Sequence, residues 1–383
     1  IELAATRCSL LSPGELLERL HAQLDPLSLG AAEGSTRHTS LRAVLSESWT
    51  ILAPEEQDIL QQCTVFRGAF SLSSAEDVLE PRDTERSLLD ILQRLRDHSL
   101  VRLDPSSSST RLSLLRSVRA FAAEQPRRHE QAALEQRHAL TLVRQVESCQ
   151  HHGGLGAWAE FAALRADPED LREAAARSGD FDDALGVRVL LARAWALRET
   201  GRADEAGACL RGARDRALGT GSLSEALRCR VWRRHGLASL ESSAEDDGFA
   251  MLARSIALAD SAMLGSDRVL SRTEKARAHR ERNELDEAGL LLEEASEIVA
   301  AGHPELQPLL DYEGARLAGA RSAPARAELL AARALQGWQV AGDGLGIATA
   351  SYALGYFALD AGRFGDAEGH FQAAIEAFEA LGD

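Results

Sequence analysis

A chain of 383 residues is too long for one small core and long enough for two or three domains. Its formal net charge of −16 argues against coating nucleic acid by bulk charge. Its five cysteines form no Cys-x-x-Cys pair and no apolar run is long enough to span a bilayer, so a reduced, cytoplasmic setting without a membrane partner is expected.

The chain starts at Ile1 rather than Met, within a helical pattern, and is expected to be a piece of a longer protein. Residues 1–39 read as a helical remnant. Ser12 and Pro13 form a helix start, with Glu15 completing a capping box. Gly30 to Thr39 is small and polar and reads as a linker or turn.

Residues 40–125 form a second unit. Leu41, Val44, Leu45, Ser48, Trp49 and Leu52 share one helix face. Ala53-Pro54-Glu55-Glu56 starts the next helix, with Ile59, Leu60 and Cys63 inward. Val65 to Phe70 is a short extended or turning stretch, and Ser71–Leu79 and Ser87–Leu95 are two more helices. Leu100–Leu103 and Arg111–Leu114 then alternate, joined by the polar loop from Asp104 to Thr110. Helices followed by a two-stranded wing predict a winged-helix domain. Its candidate recognition helix, Ser87–Asp97, carries Arg94 and Arg96 but also Asp90 and Asp97, a mixture that suits packing better than DNA.

Residues 126–180 read as a linking helical region. His151-His152-Gly153-Gly154 is expected to be a polar loop, because no partner follows at metal-ligand spacing. His129 and His138 are nine residues apart and do not face one another on a helix.

From residue 181 to 383 a small–large–small pattern recurs after each turn. It reads Ala206, Leu210, Ala213; Gly248, Leu252, Ser255; Ala288, Leu292, Ala295; Ala325, Leu329, Ala332; and Ala367, Phe371, Ala374. The large–small pair Leu354-Gly355 and Gly236 lie in helices that precede two of these runs. The spacing, roughly 37 to 42 residues, is a solenoid period. The pattern resembles the tetratricopeptide repeat (TPR) in its longer variant; an Ala-rich bundle without true repetition is the alternative.

The winged-helix segment resembles that of bacterial signal-transduction ATPases with numerous domains (STAND, NB-ARC type). The resemblance is carried by Leu41…Ser48-Trp49…Val65-Phe66-Arg67-Gly68-Ala69-Phe70, by Leu88-Leu89…Asp97-His98-Ser99-Leu100-Val101 and by Arg111-Leu112…Val118-Arg119…Phe121-Ala122. Arg137-His138-Ala139…Trp158…Leu164…Asp170-Leu171-Arg172 resembles the family's bridge to its repeats. The resemblance implies that the nucleotide-binding core, with its ATP or ADP, lies upstream of Ile1. Arg116 stands where the family usually has Glu, and Leu115 where related regulators have a nucleotide-contacting His, so no nucleotide contact is carried over.

No Gly-rich loop is followed by Gly-Lys-Ser/Thr, Lys275 sits mid-helix, and no nucleophile elbow appears, so no enzyme activity and no cofactor are expected of these residues. Gly219-Thr220-Gly221-Ser222 reads as an interhelix loop rather than a phosphate nest.

The repeat register places Arg188, Trp195, Arg198, Arg230, Arg233, Leu237, Arg277, Arg280, Tyr352 and Tyr356 along one concave groove. Six arginines with aromatic ends would bind an acidic peptide or a partner's acidic helix. The other reading is that these arginines pair with nearby carboxylates.

The expected fold is mainly α: a winged-helix domain with a small β-hairpin, followed by a TPR-like α-solenoid. The expected function is a regulatory or sensor arm that binds a protein or peptide and controls the upstream nucleotide switch within the same protein. A DNA-binding winged-helix regulator, with the repeats for oligomerisation or interaction, is the alternative.

Overall fold

The computed structural model describes residues 36–82, 86–104, 111–127, 129–152, 168–241 and 245–381. The helix start expected at Ser12, the tip of the wing, and Trp158 and Leu164 of the bridge lie outside the described residues. The chain divides into two compact units, one reaching Thr141 and one beginning at Leu142.

The first unit opens with helix α1 (Thr36–Ile51). The stretch read as a linker up to Thr39 is therefore already helical at Thr36, because no Gly or Pro interrupts it. Helix α2 (Pro54–Gln62) starts on Pro54, and the Ala53 N–H donates to Glu56 Oε2 at 3.0 Å. A short 3₁₀ turn (Cys63–Val65) leads to strand β1 (Phe70–Ser71) and helix α3 (Leu72–Val78). Helix α4 (Leu88–Asp97) follows. The hydroxyls of Ser71 and Ser87 cap α3 and α4, each accepting an N–H at 3.1 Å.

Strands β2 (Arg102–Leu103) and β3 (Arg111–Ser113) form the expected hairpin. The sheet has a third strand, where the sequence pattern predicts a short extended or turning stretch. β1 pairs antiparallel with β3, Phe70 opposite Leu112, giving the order β1-β3-β2. Phe70 is held there by stacking on Phe66, with ring centroids 4.1 Å apart. Ile59, Leu60, Ile91, Leu95, Val118 and Phe121 build one core beneath the sheet and helices. Helix α5 (Arg116–Glu124) and helix α6 (Gln131–His152) follow. His151 and His152 form the last turn of α6, not the polar loop expected from their sequence.

Among its described residues the second unit contains the end of α6 from Leu142 on, helix α7 (Glu169–Ala176) and then five helical hairpins. They are α8 (Asp183–Glu199) with α9 (Ala203–Gly219), α10 (Glu225–Leu240) with α11 (Glu245–Ser261), and α12 (Gly265–Glu281) with α13 (Leu285–Ala300). The last two are α14 (Gln307–Ala320) with α15 (Pro324–Ala341), and α16 (Gly344–Asp360) with α17 (Phe364–Ala380). First helices of successive hairpins touch one another more than second helices do, which puts the first helices on the inner, concave side.

Four hairpin turns share one backbone solution. Gly201, Asn283, Ser322 and Gly362 all take a left-handed conformation, with φ of 72°, 62°, 56° and 72°. In each, the next N–H reaches back five residues: Arg202 to Leu197 O, Glu284 to His279 O, Ala323 to Ala318 O and Arg363 to Ala358 O, all at 2.9 Å. This is the Schellman closure of a helix end.

Small residues then let the paired helices meet. Ala206, Ala288, Ala327 and Ala367 are buried at equivalent places, and Gly248 takes the same place in the second hairpin. The fourth repeat corrects the sequence register. Ala325 and Leu329 are exposed, and the packing positions are Ala327, Ala331 and Ala334. The shift makes the period a more uniform ~40 residues. In the second hairpin a Cβ on Gly248 would stand 2.9 Å from Gly236 O and 2.7 Å from Leu240 Cγ. In the fifth, a Cβ on Gly355 would meet the Phe371 ring at 2.7 Å.

Two stability measurements check this account. Ser322→Gly removes a left-handed penalty and is expected to stabilise the chain by about 0.5–1 kcal/mol in chemical denaturation. Gly248→Ala forces two backbones apart and is expected to cost about 1–3 kcal/mol.

Candidate ligand-binding face

The ten residues expected along the groove separate into three cavities and one ion-pair node. The node lies at Glu147 in α6. Its carboxylate accepts Arg188 Nη2 at 2.7 Å and Arg230 Nη1 at 2.8 Å, tying α8 and α10 together. Arg188 lines none of the three cavities.

The largest of these three, about 880 Å³, gathers Trp195, Arg230, Arg233 and Arg277 with side chains from the fourth hairpin, Trp338 among them. A second, about 380 Å³, contains Arg198 and Leu237. Trp195, Arg234, Glu274 and Arg277 belong to both, so these two cavities share a wall. Leu237 is only 3% exposed, because it packs on Leu252 and Ala278 to hold the second hairpin to the third. It is a core residue with a sliver of surface rather than a ligand contact. A third cavity, about 450 Å³, contains Arg280, Tyr352 and Tyr356.

The six expected arginines do not form an open positive strip. Each lies within 4.0 Å of a carboxylate. Arg198 pairs with Glu241 through both nitrogens of its fork. Arg233 Nη1 meets Asp267 Oδ1 at 3.0 Å, with the arginine side chain 6% exposed. Arg277 reaches Glu274 at 3.4 Å and Glu281 at 3.8 Å. Arg280 stands 3.8 Å from the buried Glu313. Three of these pairs, Arg198–Glu241, Arg233–Asp267 and Arg280–Glu313, join one hairpin to the next.

Arg234 is the residue that the sequence register missed. Among the described arginines lining the cavities, it alone has no carboxylate within 4.0 Å and makes no hydrogen bond. Burial, with Arg233 adding its own charge, pulls its guanidinium down to about 10. The charge sits deep among protein atoms, while the cavities keep part of the side chain accessible. At neutral pH the side chain remains a cation. Its position four residues after Arg230 and one turn before Ala238 on α10 was available as a signal.

Elsewhere, several polar groups pair with one another. Thr220 and Ser222 both donate to Asp183 Oδ2, at 2.7 and 3.0 Å, so the Gly219–Ser222 loop is a joint between hairpins. These hydroxyls hold the Asp183 carboxyl below the usual carboxylate range. In the first unit, Arg94 of α4 turns onto the fully buried Glu56, and Arg86 joins it at 3.0 Å. The charge of α4 is thus directed partly into its own unit. His129 bonds Asp58 at 3.1 Å, whereas His138 lies edge-on to Phe66 at 5.1 Å, so the two histidines serve different neighbours. No helix among the described residues is long and apolar enough to cross a membrane.

Comparison with known proteins places this geometry in context. No family model matches the chain. Proteins of Mycobacterium bovis and Mycobacterium tuberculosis, named as HTH-type transcriptional regulators, are 31% identical over 204 residues. The match takes in 51% of this chain and 23% of theirs, so it spans about a quarter of those relatives' length. Among solved structures, a STAND protein with a tetratricopeptide repeat sensor from Pyrococcus horikoshii aligns over 99% of this chain and 59% of its own, with a TM-score of 0.52 and 15% identity. A Rap protein complexed with Competence and Sporulation Factor aligns over 67% of this chain and 79% of its own, with a TM-score of 0.51 and 12% identity. NprR in complex with its cognate peptide NprX aligns over 65% and 68%, with a TM-score of 0.50 and 12% identity.

The arrangement separates paired from unpaired cations by their cost of removal. Arg233→Gln strands Asp267 and is expected to destabilise the chain by about 3 kcal/mol. Arg234→Gln relieves a buried charge that Glu274 offsets only at longer range and is expected to leave the thermal midpoint unchanged or raised. Denaturation of the two variants side by side checks this. The chain is similar in fold to a STAND protein with a TPR sensor and has a mainly α, TPR-like architecture.

Proposed function

We propose that this chain is the sensor arm of a STAND-type regulator and that it binds an acidic peptide segment in the cavity containing Trp195 and Arg234. The observation that carries this reading is Arg234, a cation held in a cavity wall with no close ion pair or hydrogen bond, attracted only at longer range by Glu274. Proteins fold at a loss around such a charge, and an incoming carboxylate would recover the cost through a forked pair of hydrogen bonds. Trp195 and Trp338 offer apolar faces for the side chains beside that carboxylate. Two neighbours in fold are complexed with the factor or peptide that they bind.

In this reading the helix–sheet unit is a winged helix acting as a lever, and a nucleotide-binding domain elsewhere in the whole protein holds ATP or ADP. Peptide binding biases that switch between two states by its differential affinity for them. The names of the mycobacterial relatives support transcription as the output. Catalysis by this chain is not part of the reading, and its setting is the cytoplasm. The ion pair of Arg94 with Glu56 favours packing over DNA contact for α4.

A fluorescein-labelled peptide Glu-Leu-Glu-Glu-Leu-Glu, titrated into the full chain, tests the reading by anisotropy. Binding is expected to weaken as salt rises and to fall at least tenfold in Arg234→Gln, with Arg363→Gln unchanged. No binding, or equal binding of the glutamine version of the peptide, would refute it.

A further inference from the structure

The third cavity has a different chemistry from the other two. It lies where α12, α14 and α16 meet, and three tyrosines and two arginines share it: Tyr312, Tyr352, Tyr356, Arg280 and Arg316. Tyr352 and Tyr356 are 55% and 51% exposed, an unusual outlay of aromatic surface on neighbouring turns of one helix. Their positions are not an accident of poor packing beneath. A Cβ on Gly319 would stand 2.8 Å from the Phe357 ring, so the floor of the cavity is tightly closed.

The two cations are not fully used by the protein. The Arg280 side chain is nine-tenths buried, yet its Nε and Nη2 make no hydrogen bond. Its nearest carboxylates, Glu313 and Glu281, stand at 3.8 and 4.0 Å, near enough to attract but too far to bond. Glu313 is itself buried between Arg280, Arg277 and Arg316, and burial raises its carboxyl above the ordinary range. Arg316 donates to Tyr312 Oη at 3.0 Å and lies over that ring at 5.8 Å. Burial first and the neighbouring Arg316 second press the Arg280 guanidinium downward, so the two cations repel each other across the cavity. The carboxylate that lines the cavity itself is Asp360, exposed at the end of α16.

We infer that this cavity binds an aryl carboxylate, its carboxylate held by Arg280 and Arg316 and its ring set against Tyr352 and Tyr356. A planar carboxylate matches the guanidinium fork and relieves the repulsion between the two arginines. Tyrosine faces take an aromatic ring in offset or edge-to-face contact. The volume of about 450 Å³ suits one aromatic residue or a small free acid. Asp360 penalises a doubly charged phosphate more than a singly charged carboxylate. The inference stands on a different cavity from the one that contains Arg234 and does not require the acidic-peptide reading.

Two probes separate the sources of such a ligand. One is 3-phenylpropanoate; the other is Ac-Gly-Ser-Gly-Phe with a free C-terminus. Both are titrated into the full chain by calorimetry, alongside 3-phenylpropanamide, the peptide's C-terminal amide and Ac-Gly-Ser-Gly-Ala with a free C-terminus. At least one acid is expected to bind, with its amide and the alanine peptide at least tenfold weaker. Arg316→Gln and Tyr352→Ala, both on accessible side chains, are expected to weaken it about tenfold while the circular dichroism melt is retained. Arg234→Gln is expected to leave it unchanged. Tighter binding of the free acid points to a metabolite, and tighter binding of the peptide to a chain terminus. Failure of both acids to bind at millimolar concentration overturns the inference, as does equal binding of acid and amide. Unchanged affinity in a folded Arg316→Gln variant overturns it too.

Discussion

The second unit depends on a backbone turn that most residues resist. Each hairpin must reverse the chain in the few residues between two helices, and the closure used at Gly201, Asn283, Ser322 and Gly362 requires a left-handed residue. That closure fixes where the second helix begins, and so which of its residues face back. Three residues into each second helix stands Ala or Gly, because two helices leaving such a turn run too close for a larger side chain. Turn and small residue together set the repeat, and the repeat aligns the first helices along one inner face.

On that face the arginines are structural cement before they are anything else. Arg188 and Arg230 share Glu147, Arg198 takes Glu241, and Arg233 takes Asp267. Each pair bridges elements that are distant in sequence and adjacent in space. An acidic chain can therefore carry many arginines inward without building a positive surface. What remains after this cancellation is small and specific: one unmatched guanidinium at Arg234, and a half-matched pair at Arg280 and Arg316. Binding chemistry is read more securely from such remainders than from the count of charged side chains.

The repeat was legible in the sequence because it is written in residue size. Alanine and glycine at fixed offsets from leucine or phenylalanine survive in one dimension. The fourth repeat was misread for the same reason. From Pro324 to Ala334 alanine occurs so often that two registers fit, and only the burial of Ala327 and Ala331 separates them. Ion pairs were not legible, since Glu147 lies 83 residues from Arg230 and no local pattern joins them. Arg234 was passed over because Arg230, Arg233 and Leu237 already filled the helical spacing, although Arg234 completes the same stripe. Strand β1 escaped because two residues cannot show a period. The helical end at His151 and His152 escaped because paired histidines before two glycines look like a turn.

The two kinds of contact within the solenoid differ in what weakens them. Inside a hairpin, Gly236 against Gly248 and Gly355 against Phe371 are steric fits that dissolved ions do not touch. Between hairpins, apolar contacts such as Leu237 on Ala278 are joined by ion pairs, some of them partly exposed, as at Arg198 and Glu241. Such pairs soften as ionic strength rises and the Debye length contracts. Salt therefore acts on the ionic share of each joint, while the apolar share and the steric fits within the hairpins keep their grip.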